Sequence, residues 1–229
     1  MYMKLLILIL FSGFALSSFS QEIEHKHSIH HAFIENKGQW DNEILFKSHF
    51  QGGNLWVQQG KILFHLQDYS FYQKAHGNFT AEENKGQMKQ DVVHLNFKGA
   101  NKINNITKGE KTKEYYNYFL GNDATKWASE VHGYHEATLH ELYNGIDLKL
   151  IEQEEQLKYE FHVAPNADPN LIKLSYEGFQ KISIDKDGSL VVTTKLGSIR
   201  ENKPYAYQII NGKITAVNCS FAIDKGNVN

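Results

Sequence analysis

Apolar residues recur at every second position through most of this chain. The cleanest run spans 157–163, where Leu157, Tyr159, Phe161 and Val163 alternate with Lys158, Glu160 and His162. A two-residue period puts one set on each face of an extended segment, which predicts a half-buried strand. Similar runs at 44–50, 55–58, 62–66, 92–97, 114–119, 137–143, 146–151, 171–176, 182–184, 190–194 and 205–223 predict more strands. Asn144-Gly145, Asp187-Gly188 and Asn211-Gly212 separate them at hairpin spacing, and Asn-Gly suits a type I′ turn because both central residues need positive φ. Helix is predicted only as single turns, one capped by Asn122 or Asp123 and one by Asp168 with Pro169 at the first helical position. The pattern predicts an all-β protein, an antiparallel sandwich or barrel-like architecture with one or two very short helices. The polar stretch 73–90 is the longest connection.

One segment is apolar without a period. Residues 1–21 read MYMKLLILILFSGFALSSFSQ, with Lys4 ahead of an apolar run from Leu5 to Phe11 and small Ser18 and Ser20 before Gln21. That order is the order of a secretory signal peptide. Ser12 and Gly13 interrupt the run well before the roughly 18 apolar residues that a membrane span needs. No Cys stands near the cleavage point to be acylated. The expectation is a signal peptide at 1–20, a flexible His-rich segment at 21–32, and a β-rich domain at 33–229 in one piece or two packed halves. The product would be secreted or held at the cell surface, with no transmembrane segment after cleavage. Only 227–229 follow the last turn signal at Asp224-Lys-Gly226, so the domain is expected to stop short of a returning strand.

Composition removes several functions. The chain carries 24 Lys and Arg against 26 Asp and Glu, a formal charge of -2 without a basic block, which argues against a nucleic-acid partner. Cys219 stands alone and cannot form an internal disulfide; with Val217, Phe221 and Ile223 on one strand face it is expected to be a buried, inert thiol. Neither H-E-x-x-H nor G-x-S-x-G occurs, so no enzyme and no cofactor is expected.

Metal binding has one place to start. His25, His27, His30 and His31 cluster at the opening of the exported chain, and imidazoles at such density collect Zn or Cu weakly. A second grouping, His132, His135 and His140 with Glu136 and Glu141, is poorer, because only His132 and His140 have the even spacing one strand face requires. Asp185-Lys-Asp187-Gly188 opens like a calcium loop but continues Ser-Leu-Val-Val-Thr without its closing Glu, which makes it a hairpin turn. Trp40, Trp56, Trp127, Tyr116, Tyr118, Phe119 and Tyr143 are expected in the core or in sheet seams, Trp127 most of all. The rival is an aromatic platform for sugar rings.

Four spaced motifs carry a family likeness: Phe33-Ile-Glu-Asn-Lys-Gly-Gln-Trp40, Tyr116-Asn-Tyr-Phe-Leu-Gly-Asn-Asp123 with Lys126-Trp127, Leu142-Tyr143-Asn-Gly-Ile-Asp147, and Val163-Ala-Pro-Asn-Ala-Asp-Pro169. In this order they resemble the N-terminal domain of uncharacterised function in secreted proteins that continue into SBBP β-propeller repeats. In Bacteroidota, proteins of that kind are associated with type IX secretion. The likeness covers 33 to the chain end, with Asn166 replacing a Gly of the pattern. It implies a module and a location, with downstream β-propeller or adhesin modules as partners and no assigned activity. The functional expectation is a noncatalytic structural or adhesive module; the alternative is a carbohydrate- or metal-binding β-sandwich domain. Exposure of the aromatic residues separates the two.

Overall fold

The computed structural model describes residues 3–12, 32–50, 52–68, 89–153, 156–225 and 227–228. The strands are β1 Met3–Ser12, β2 Phe33–Glu35, β3 Ile44–Phe50, β4 Gly53–Gln58, β5 Lys61–Gln67, β6 Gln90–Phe97, β7 Ile106–Lys108, β8 Lys111–Tyr118, β9 Ala128–Tyr134 and β10 Glu136–Tyr143. They continue as β11 Ile146–Gln153, β12 Gln156–Val163, β13 Leu174–Glu177, β14 Lys181–Ile184, β15 Leu190–Thr193, β16 Ser198–Glu201, β17 Tyr205–Ile210, β18 Lys213–Val217, β19 Ile223–Asp224 and β20 Asn227–Val228. One sheet has the order β14-β15-β16-β1-β12-β11-β10-β7, with the β17-β18 hairpin also attached to β1. The other runs β19-β20-β13-β6-β5-β4-β3-β2-β9-β8. Neither closes into a barrel, and the fold is the expected all-β sandwich.

The alternation read from the sequence places the core. Leu157, Tyr159, Phe161 and Val163 are all buried, as are Leu139, Ile146, Leu148 and Leu150 on the neighbouring β10 and β11. They join Phe46, Leu55, Val57, Ile62, Phe64 and Leu95 of the other sheet in one cluster. The rings of Phe97 on β6 and Phe161 on β12 meet edge to face, with centroids 6.1 Å apart. On the outer face of β12, Glu160 is also buried, and it accepts from Lys158 and His162 at 2.7 Å each; burying a carboxylate is tolerable only with such partners.

Local chemistry sets the turns. Asp123 and Asp168 cap two 3-10 turns, Ala124–Lys126 and Pro169–Leu171, by accepting from Thr125 N and Asn170 N. Asn211 and Gly212 both have positive φ, as a type I′ hairpin requires. Gly145 has φ +73, and a Cβ there would stand 2.8 Å from the Cβ of Ala167. Two of the sequence motifs are therefore neighbours in space, and Ala164 N donates to Gly145 O at 2.8 Å. Asn166 takes the left-handed conformation at φ +69, which Asn tolerates better than most residues.

Two expectations need correction. The strand expected over 205–223 ends at Val217, and Cys219 lies beyond it, half-buried. Burial still pushes its thiol pKa up. Asn227–Val228 forms β20, which pairs with β19 and sets Val228 opposite Leu174 of β13. Trp127 is 46% exposed and not in the core. The expected connection at 73–90 lies outside the described residues as far as 88, and so do His25, His27, His30 and His31.

Candidate functional site

Lys111–Tyr118 is the edge strand of its sheet, paired only with β9. Within it only Thr112 is buried. Its register shifts between Lys111 and Tyr115 and again between Tyr116 and Tyr118. Such bulges twist a strand and re-aim its side chains. Of the nine exposed large apolar residues among the described residues, five lie between 115 and 127: Tyr115, Tyr116, Phe119, Leu120 and Trp127. Isolated exposed apolar residues are ordinary, whereas a contiguous group marks an interaction surface.

The rings form a connected row. Tyr116 and Tyr118 lie 6.2 Å apart, tilted by 37°. Tyr118 meets Trp40 edge to face at 5.4 Å, and Trp40 meets Trp56 in the same way at 5.4 Å. The Lys47 ammonium sits 5.1 Å from the centroid of Trp56. Burial pushes the Lys47 pKa down, and burial followed by the neighbouring Tyr116 pushes that of Tyr118 up. Phe119 and Trp127 stack edge to face at 5.8 Å where the ribbon ends. The Asp123-capped turn delivers Trp127 in extended conformation, and its Nε1 donates to Gly121 O at 3.3 Å. Beside the row, Asn117 Oδ1 accepts from Glu130 N, and Lys37 donates to Glu130 O. Half-buried anchors, exposed ring faces and a polar margin suit the apolar faces of sugar rings or an extended partner.

The other candidate groups stay apart. His132 pairs with Thr112 O, His135 with Glu152 at 2.7 Å, and His140 with Asp147 at 2.9 Å and Thr107 at 2.7 Å. Among the described residues no three His, Cys, Asp or Glu converge as a metal site. Asp185 and Asp187 both accept from Arg200, at 2.9 and 2.5 Å, and their loop is the β14-β15 hairpin. A cleft of about 340 Å³ between Glu141, Asp147 and His162 has its acidic groups already engaged: Asp147 accepts from Glu141 N and Glu141 accepts from Gly145 N.

The family model of a domain of unknown function, DUF7948, matches residues 33–229, and the chain belongs to that family. No curated protein and no solved structure matches the chain.

Proposed function

We propose that this chain is a noncatalytic adhesive module of an exported protein, and that the aromatic ribbon holds its target. The observation that carries this reading is the exposure of Tyr115, Tyr116, Phe119, Leu120 and Trp127 on one edge ribbon, where a purely structural role would have buried them. Carbohydrate is the ligand class that this reading favours, because exposed aromatic side chains, apolar in body and in Tyr and Trp polar at one end, match the C–H faces and hydroxyl rims of sugars. The leader-like segment at 1–20 supports export and removal of that segment, and the four motifs support a place at the head of SBBP-type propeller proteins.

The test is retention of the purified protein on insoluble polysaccharides, with a glycan array for soluble ligands. Trp127→Ala and Tyr116→Ala should each weaken binding about tenfold, equivalent to about 1.4 kcal/mol. Both substitutions also remove contacts within the chain, the Trp127 pair with Phe119 and the Tyr116 pair with Tyr118, so folding stability should fall by about 1–2 kcal/mol with the fold retained. A protein that no glycan retains, or a Trp127→Ala variant that binds like the parent, overturns the carbohydrate reading.

A further inference from the structure

Met3–Ser12 is inserted between strands and not laid on an edge. In Cα register, Leu5 stands opposite Val163, Ile7 opposite Phe161 and Ile9 opposite Tyr159 on β12. On the other side Leu5 stands opposite Gln208, Ile7 opposite Ala206 and Leu8 opposite Tyr205 on β17, and Phe11 continues onto β16 opposite Glu201. Every pairing is antiparallel, so β12 and β17 run parallel to each other across this one strand. Among the described residues β1 is the only ladder connection between the β7-β10-β11-β12 group, the β14-β15-β16 group and the β17-β18 hairpin. Its removal leaves two rows of backbone N–H and C=O groups across a gap of about 9.5 Å, two interstrand spacings. The residues bordering that gap, Phe161, Val163 and Ala206 among them, belong to the buried interior. Backbone groups cannot stay unpaired in such surroundings without a large penalty, and an open edge is a template for another strand.

Two observations favour β1 as a temporary occupant. Its sequence has the Lys4, apolar-run and small-residue order of a leader, and the family match begins at Phe33, so the shared domain is defined without it. We propose that the slot between β12 and β17 is a strand-acceptor site, which after leader removal takes an extended segment of a partner polypeptide. This rests on the export reading given above. The incoming segment runs antiparallel to β12 and carries apolar residues opposite Val163, Phe161 and Tyr159. Charge contributes little to the choice, because Lys158, Glu160 and His162 on the outer side of β12 already pair with one another. Main-chain hydrogen bonds supply the binding, and alternate apolar positions supply its selectivity.

The test uses the full chain, refolded with a specific protease site in place of residues 17–20, then cut and offered an excess of a probe. The probe is a peptide of residues 3–12 with lysines added at both ends; its control is the same peptide with Ile7→Pro, which lacks a ladder N–H and cannot occupy a central strand. The probe should displace the cut strand one for one by native mass spectrometry. Amides of β12 and β17 should exchange at least tenfold faster in the stripped chain than in the probe complex. A stripped chain that unfolds and is refolded by the probe, but not by the proline peptide, supports the site equally. Equal protection of β12 and β17 without any strand, equal binding of both peptides, or a cut chain that the probe leaves unchanged overturns it. N-terminal sequencing of exported protein separates the two readings: an intact Met1 overturns leader removal and with it any exchange in the cell, whereas a cleaved N-terminus with failed probe exchange overturns the slot alone.

Discussion

Replacing Phe161 with Ala is expected to destabilise the fold by about 3–5 kcal/mol, the range for deleting a fully buried ring. Phe161 has no exposed surface. Its ring meets Phe97 of the other sheet at 6.1 Å and Tyr159 of its own strand at 5.8 Å, both close to perpendicular. The void could shrink only if the sheets approached each other, and β12 is held in a ladder from Ile146 opposite Val163 to Gln153 opposite Gln156. One flank of the void also opens toward a cleft of about 400 Å³ lined by Leu174, Cys219 and Phe221. Urea unfolding should show a lower midpoint at unchanged slope, and Phe161→Leu, which retains most of the volume, should lose less. A shift below about 1 kcal/mol for the Ala variant would mean that the two sheets do not share this core.

That core was legible because β12 obeys a single rule: each buried residue is separated from the next by a polar one. The exposure of Tyr116, Phe119 and Trp127 is not legible from aromatic content, which does not say which side of a sheet is covered. A usable signal was present in the order of residues. Tyr115 and Tyr116 are adjacent within a strand of Lys, Glu and Asn, and neighbours in a strand point to opposite faces, so one of the two had to leave any one-sided core. Cys219 was misplaced for a related reason, since alternation in 213–223 continues on paper while the ladder stops at Val217. The leader-like order of residues 1–20 is plain in the sequence, but nothing local in Leu5 to Leu10 shows that the segment fits the spacing between β12 and β17. That match is a property of topology, and so is the meeting of Tyr159 and Tyr176 with Glu201, from which they are 42 and 25 residues away in sequence.

Stability is expected to fall by about 3 kcal/mol as pH rises from 4.5 to 7, through the titration of Glu201 alone. This carboxyl has no exposed surface. It accepts from the Tyr159 hydroxyl at 2.9 Å and from the Tyr176 hydroxyl, and so joins β16 and β12 to β13 in the opposite sheet. Burial raises its pKa from 4.5 to about 7, and the two tyrosine hydrogen bonds pull the other way without reversing it. Burial, and then the carboxylate charge, in turn push both tyrosines well above their ordinary value. The folded chain therefore holds this proton more tightly than the unfolded chain. Its stabilising contribution is complete below pH 4.5, declines through the window and is gone above pH 7, at about 1.4 kcal/mol per pKa unit. The lowered carboxylates act elsewhere on the scale. Hydrogen bonds from Thr125 lower Asp123, Arg200 lowers Asp185, the Ser189 backbone lowers Asp187, and in Glu160 the bonds from His162 and Lys158 outweigh burial. Their contributions are lost only as pH falls below the ordinary carboxylate range. Glu201→Gln keeps the shape, accepts from one tyrosine and donates to the other, so its profile should stay flat between pH 4.5 and 7 relative to wild type. Urea titrations of both proteins across that window decide the point, because parallel profiles would show that Glu201 is ionised in the folded state throughout and that the two sheets are tied by a charged carboxylate.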